Sequence, residues 1–188
     1  MKAFDFDNTL YRGESSLDFS LFMIKSHKKI LLYLPIILGN AVKYKLCLVD
    51  RRKLEDMINK YLKIIIRDRQ EIEGLVTHFW KKHSSRLDPK MLRLITPEDV
   101  IITAGPDFLR NGIRSLLNTQ NIISSKVDLD KKEIIHFNFK DYKVKRFRKL
   151  YGNTRIECFY TDSYNDRALM EISDRVCLVK KGRILEIK

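Results

Sequence analysis

The 188-residue sequence predicts an α/β fold: a parallel sheet with a block of helices inserted after its first strand. Three observations carry that reading. Short apolar runs end abruptly in polar residues, helical patterns separate most of them, and one long stretch after the first run has almost no strand signal. Short continuous apolar runs are what strands covered on both faces by crossover helices require.

The first run, residues 1–6, ends at Asp7, Asn8 and Thr9. The second, 100–102, ends at Thr103, Ala104, Gly105 and Pro106. The third, 156–160, ends at Thr161, Asp162 and Ser163, and the fourth, 175–179, at Lys180, Lys181 and Gly182. In open α/β sheets ligands bind at the carboxyl ends of the strands, where these polar residues stand.

Residues 13–89 read as several helices. Ser15, Ser16, Leu17 and Asp18 open the first. Residues 51–66 repeat apolar side chains at Leu54, Met57, Ile58, Tyr61, Leu62 and Ile65, and 72–83 at Ile72, Leu75, Val76, Phe79 and Trp80. Both are helical faces. An insert of this kind between two strands is a lid rather than a second fold. Within it, the apolar run 30–38 is flanked by Lys28, Lys29, Lys43 and Lys45 and interrupted by Pro35, Gly39 and Asn40. It falls short of the about 20 residues needed to span a bilayer. The favoured reading is a buried lid helix, and the alternative is an interfacial helix on anionic lipid.

A composition of 44% hydrophobic and 32% charged residues excludes disordered and fibrous chains. The net charge of +13 points to an anionic partner: nucleic acid, a membrane surface or a phosphorylated substrate. A basic stripe interleaved with aromatics is missing, apart from a local patch at 143–149, so no nucleic acid is expected. Cys47, Cys158 and Cys177 are far apart in sequence and lack CxxC spacing, which fits a reducing cytoplasm better than a disulfide framework. Asp5 and Asp7 interrupt what would be the apolar part of a signal peptide. His27, His78, His83 and His136 lack the spacing of metal ligands.

Chemistry concentrates at the strand ends. Asp5 and Asp7, two apart, project from one edge, where two carboxylates repel unless a cation or a shared proton relieves them. Asp162 and Asp166 flank Ser163, Tyr164 and Asn165 after another strand. Each pair alone also reads as turn or cap chemistry. Two acidic strand ends in one sheet make a negative pocket suited to Mg²⁺. Thr103 offers a hydroxyl, the amides of Ala104 and Gly105 a nest for an anion, and Lys143 a point charge.

In order, Asp5-Phe6-Asp7-Asn8-Thr9-Leu10, Ile101-Ile102-Thr103-Ala104-Gly105, Lys143, and Asp162-Ser163-Tyr164-Asn165-Asp166 resemble the four motifs of the haloacid dehalogenase superfamily. The insert is similar to the C1-type helical cap of its phosphoserine-phosphatase-like branch. The resemblance implies a Rossmann-like core at 1–13 and 90–188 and a cap at 14–89. It implies a phosphatase in which Asp5 is the nucleophile and Asp7 the general acid and base. Thr103, Ala104 and Lys143 would bind phosphate, and Asp166 would orient Lys143 or a metal-bound water. Asp5, Asp162 and the backbone carbonyl of Asp7 would hold Mg²⁺, and Glu14 would face the substrate. Two departures stand out: Asn8 and Thr161 occupy positions where the family often has glycine.

The expected substrate is a small phosphorylated metabolite. Between residues 13 and 89, however, 15 Lys or Arg face 9 Asp or Glu. With the apolar run, that surplus resembles the branch containing phosphatidylglycerophosphate phosphatases. A lipid phosphate, with peripheral contact to an anionic membrane, is therefore the alternative to a soluble ester in the cytoplasm.

Overall fold

The computed structural model describes residues 1–25, 28, 30–45, 51–180 and 182–188. His27, Lys29, Cys47 and Lys181 lie outside these, as do the side chains of Leu34, Ile36, Ile37, Leu38 and Lys45.

Seven strands form one sheet: β1 Ala3–Phe4, β2 Val100–Pro106, β3 Asn121–Asp128, β4 Glu133–His136, β5 Ile156–Thr161, β6 Ser173–Lys180 and β7 Arg183–Glu186. Their order is β4-β3-β2-β1-β5-β6-β7. The five central strands are parallel, and β4 and β7 are antiparallel edges. β1 lies between β2 and β5, where the strand order reverses direction; such a switch opens a crevice at the carboxyl ends. β1 is shorter than the predicted 1–6, although Asp5 continues the ladder by donating its N–H to Tyr160.

Alternation along the strands divides the core. Phe4 and Ile101 face one apolar cluster with Phe6, Phe79 and Trp80. Ala3, Val100 and Ile102 face the other, with Phe147 and Leu169. The first is covered by α1 Ser15–Met23 and α4 Arg69–His83, together with α6 Asp107–Asn111. The second is covered by α7 Asp141–Tyr151 and α8 Arg167–Glu171.

Helices α1 and α4, with α2 Ile30–Lys45 and α3 Arg51–Ile65, fall between β1 and β2, and the short α5 Pro89–Leu92 closes the insert. Asp68 caps α4 by accepting the N–H of Glu71, and Asp88 caps α5 through Lys90 and Met91. The two passages joining insert and sheet are stitched together. Asp88 donates its N–H to Leu10, Arg12 pairs with Asp88 at 3.1 Å, and Arg86 pairs with Asp18 at 2.7 Å. The run 30–38 does form helix, through Pro35, and the described side chains from 31 to 33 are not buried as expected. Ile30 is buried, while Leu31 and Leu32 are 60% and 74% exposed. Among the described residues no helix is long and apolar enough to cross a membrane.

Candidate active site

The carboxyl ends of β1, β2 and β5 converge with the start of α7. Asp5 follows β1 directly and is 8% exposed. Lys143, 138 positions away and buried in the first turn of α7, donates to Asp5 Oδ1 at 3.1 Å and to Asp166 Oδ2 at 2.8 Å. Burial alone would depress the Lys143 ammonium; Asp5 and Asp166 override that and hold its pKa above the usual value. Asp5 is pushed up to about 7, first by burial and then by Asp166, Asp162 and Asp7, against the attraction of Lys143. Asp162 ends the β5 segment half-buried, and its carboxyl is raised by burial, Glu14 and Asp166.

Backbone detail explains how these residues are presented. Asn8 has φ of 57°, in the left-handed region that glycine favours and asparagine tolerates, so its departure from the family pattern costs little. Thr161 is fully buried and folds onto its own loop, its Oγ1 donating to the carbonyl of Ser163 and accepting that residue's N–H. Ser163 in turn accepts the N–H of Asn165, opening the turn that carries Asp166. Buried Thr103 accepts the N–H of Gly105 at 3.0 Å. The expected nest of two amides is therefore reduced, because the Gly105 amide is already engaged. Asn138, also buried, donates to the Thr103 and Ile123 carbonyls and ties β2 to β3 beneath the site.

Asp7 is half-buried and accepts both the N–H and the hydroxyl of Ser15, the first residue of α1. A residue not singled out by sequence completes this corner. Arg110, on α6, is 1% exposed, stacks on Phe6 with 3.8 Å to the ring centroid, donates to Ser15 Oγ at 2.6 Å and lies 3.3 Å from Asp7 Oδ2. Its Nε and Nη1 are buried without a hydrogen-bond partner among the described residues. Burial lowers its pKa against the pull of Asp7 and Asp5. The guanidinium lies against Gly105 so closely that a Cβ there would collide with it. The only sequence signal for Arg110 is a charge amid Phe108, Leu109 and Ile113.

Asp5, Asp7, Asp162, Asp166 and Glu14 thus share one crevice with two buried cations, Lys143 and Arg110. That surplus of hard oxygen donors matches a divalent cation such as Mg²⁺, which needs only one or two carboxylates besides water. Among the described residues no three His, Cys, Asp or Glu side chains surround a common point.

Beside Asp7 and Glu14 lies a cavity of about 420 Å³, between α1 and α3 on one side and β2, β3 and β4 on the other. Glu14 is engaged at its mouth by Asn8 Nδ2 at 3.0 Å. Away from the site, Cys158 and Cys177, far apart in sequence, meet across β5 and β6 with sulfurs 3.5 Å apart and both free.

Several solved structures share this fold. A protein of unknown function from Bordetella pertussis Tohama I superposes with a TM-score of 0.77 at 17% identity, covering 94% of this chain and 87% of that one. A phosphoserine phosphohydrolase-like protein from Francisella tularensis subsp. tularensis SCHU S4 gives 0.64 at 22% identity, with 94% and 86% covered. Phosphoserine phosphatase from T. onnurineus gives 0.54 at 17%, with 94% and 81% covered. No curated protein matches the sequence. The family model of haloacid dehalogenase-like hydrolases matches residues 3–171, from β1 through α8, and the chain belongs to that family.

Proposed function

We propose that the protein is a Mg²⁺-dependent phosphomonoester hydrolase working through an aspartyl-phosphate on Asp5. The observation that carries this reading is Lys143 bridging Asp5 and Asp166 at the carboxyl ends of β1 and β5, with Asp7 two residues beyond the nucleophile. Residues 1–13 and 90–188 form the catalytic core in this reading, and 14–89 the cap.

The Asp5 carboxylate attacks phosphorus, and the P–O bond to the leaving alcohol breaks in line with it. Asp7 gives that oxygen a proton; afterwards it takes one from the water that hydrolyses the acyl phosphate. Lys143, the Thr103 hydroxyl and the Ala104 amide bind the phosphoryl oxygens, supplying positive charge as the bond order changes. Asp166 keeps Lys143 aimed at Asp5. Asp5, Asp162 and the carbonyl of Asp7 would hold Mg²⁺, which lets an anionic nucleophile approach an anionic ester.

Turnover of an aryl phosphate with and without Mg²⁺ tests the reading, together with detection of phosphate on Asp5 by mass spectrometry after rapid acid quench. Asp5→Asn is expected to lose at least about 10³-fold in kcat, the scale on which nucleophile removal operates. Full activity of that variant would refute the assignment.

A further inference from the structure

The cavity beside Asp7 narrows the substrate class. We infer that the leaving group is a long aliphatic alcohol, so that the substrate is an alkyl or isoprenoid monophosphate. This rests on the phosphomonoesterase reading, because in-line attack by Asp5 and protonation by Asp7 place the leaving oxygen on the Asp7 side of phosphorus. The space on that side is the cavity of about 420 Å³ whose lining includes Asp7, Glu14, Ala104 and Gly105.

Its walls are mainly apolar and include Phe19 of α1, Leu62 and Ile65 of α3, Phe108 and Leu109 of α6, and Phe137. Among the described residues no Lys or Arg lines it. An alcohol carrying a carboxylate or a second phosphate would bury that charge without a counter-ion, and a polyol would find only the few hydroxyls of Ser16, Ser20, Tyr61 and Ser125 in an otherwise apolar wall. Glu14, the acidic residue at the mouth besides Asp7, is already engaged by Asn8. An aliphatic chain brings no charge to bury and matches the predominantly apolar wall.

The helix that supplies Val42 to the cavity also carries exposed apolar residues. Val42 of α2 lines the cavity while remaining exposed, and Leu31, Leu32 and Tyr33 of the same helix stand in solvent, with Lys28 and Lys43 exposed nearby. The chain can therefore arrive as a monomer from water or from a bilayer on which α2 rests.

The test is kcat/KM over n-alkyl phosphates from ethyl to dodecyl, kept monomeric, with Mg²⁺ present. Each added methylene is expected to raise kcat/KM about threefold to fourfold until the cavity is full. Phosphoserine and glycerol phosphate should fall near the ethyl ester. The alkylphosphonates, which lack the scissile P–O bond, should inhibit with the same dependence on length. Leu62→Ser is expected to lower the dodecyl-to-ethyl ratio at least tenfold. Faster turnover of the same ester in phosphatidylcholine vesicles identifies a membrane source, and preference for the monomer a soluble one; both support the class. A flat or falling length series with aryl phosphate turnover intact overturns the inference and leaves the hydrolase reading standing. Failure to turn over any ester, aryl included, overturns the reading itself.

Discussion

Arg110 is the residue whose role follows most directly from its surroundings. A fully buried guanidinium with two unpartnered nitrogens is costly, and its contacts go to the Asp7 carboxylate and the Ser15 hydroxyl that Asp7 also holds. In the proposed reaction it is a positioning residue, holding Asp7 against the first residue of α1. Arg110→Met removes one partner of the pair with Asp7, a change that is destabilising because the carboxylate stays behind, although Asp7 keeps its Ser15 donors. Its melting temperature is expected to fall, and kcat for an alkyl phosphate, measured on the folded enzyme, to drop roughly tenfold or more. An aryl ester, whose leaving oxygen needs little protonation, should be affected far less. Equal losses on both esters would show that Arg110 does not act through Asp7.

Gly105 is tied to the same group. Gly105→Ala drives a methyl into the Arg110 guanidinium and is expected to cost about 1–3 kcal/mol in denaturation experiments. In an Arg110→Met background the same change should cost much less, since the obstructing group is gone.

At the level of elements, the start of β1 depends on Asp99. This buried carboxylate accepts the N–H groups of Lys2 and Thr96, the Thr96 hydroxyl, and an ion pair from Lys2 at 3.3 Å. Burial pushes its pKa up, but the hydrogen bonds and Lys2 outweigh that, so the net shift is below the ordinary 3.8. A carboxyl depressed in the folded state supplies stability that is complete above 3.8 and lost as pH falls toward the folded value. Asp99→Asn should therefore be less stable than the parent at pH 7 by about 1.5–3 kcal/mol. The gap should close in denaturant titrations repeated below the ordinary value of 3.8.

The parallel strands carrying the site residues were legible because burial on both faces makes them continuous apolar runs. β3 was missed: Ser124 and Ser125 interrupt it, and Ser125 is buried only because it donates to the Ala104 carbonyl and accepts the N–H of Asn138. β4 and β7 escaped notice as short edge strands, half or fully exposed, with charged residues among them. Helix α2 was legible as a helix, but not the exposure of Leu31 and Leu32, since an apolar run does not state which side is covered.

Over the whole molecule, a net charge of +13 coexists with a crevice that is itself rich in carboxylates. In the proposed reaction, that net positive charge is expected to raise the local concentration of an anionic ester before it reaches the site. Raising salt from about 0.05 to 0.5 M, which cuts the screening length severalfold, should lower kcat/KM several-fold. Because the site is buried, kcat should change much less. A kcat/KM insensitive to salt would confine the charge to solubility.

Sequence alone determined the α/β class, the family, and the order of Asp5, Asp7, Thr103, Lys143, Asp162 and Asp166 along the chain. It could do so because strand burial and strand-end chemistry are local: neighbouring residues share one edge whatever the rest of the chain does. Tertiary structure decided what those residues touch. Lys143 reaches Asp5 across 138 positions, Arg110 reaches Asp7 across 103, and the apolar cavity exists only where α3 closes over β3 and β4. Such contacts depend on how distant elements pack, and no spacing in the chain encodes that by itself.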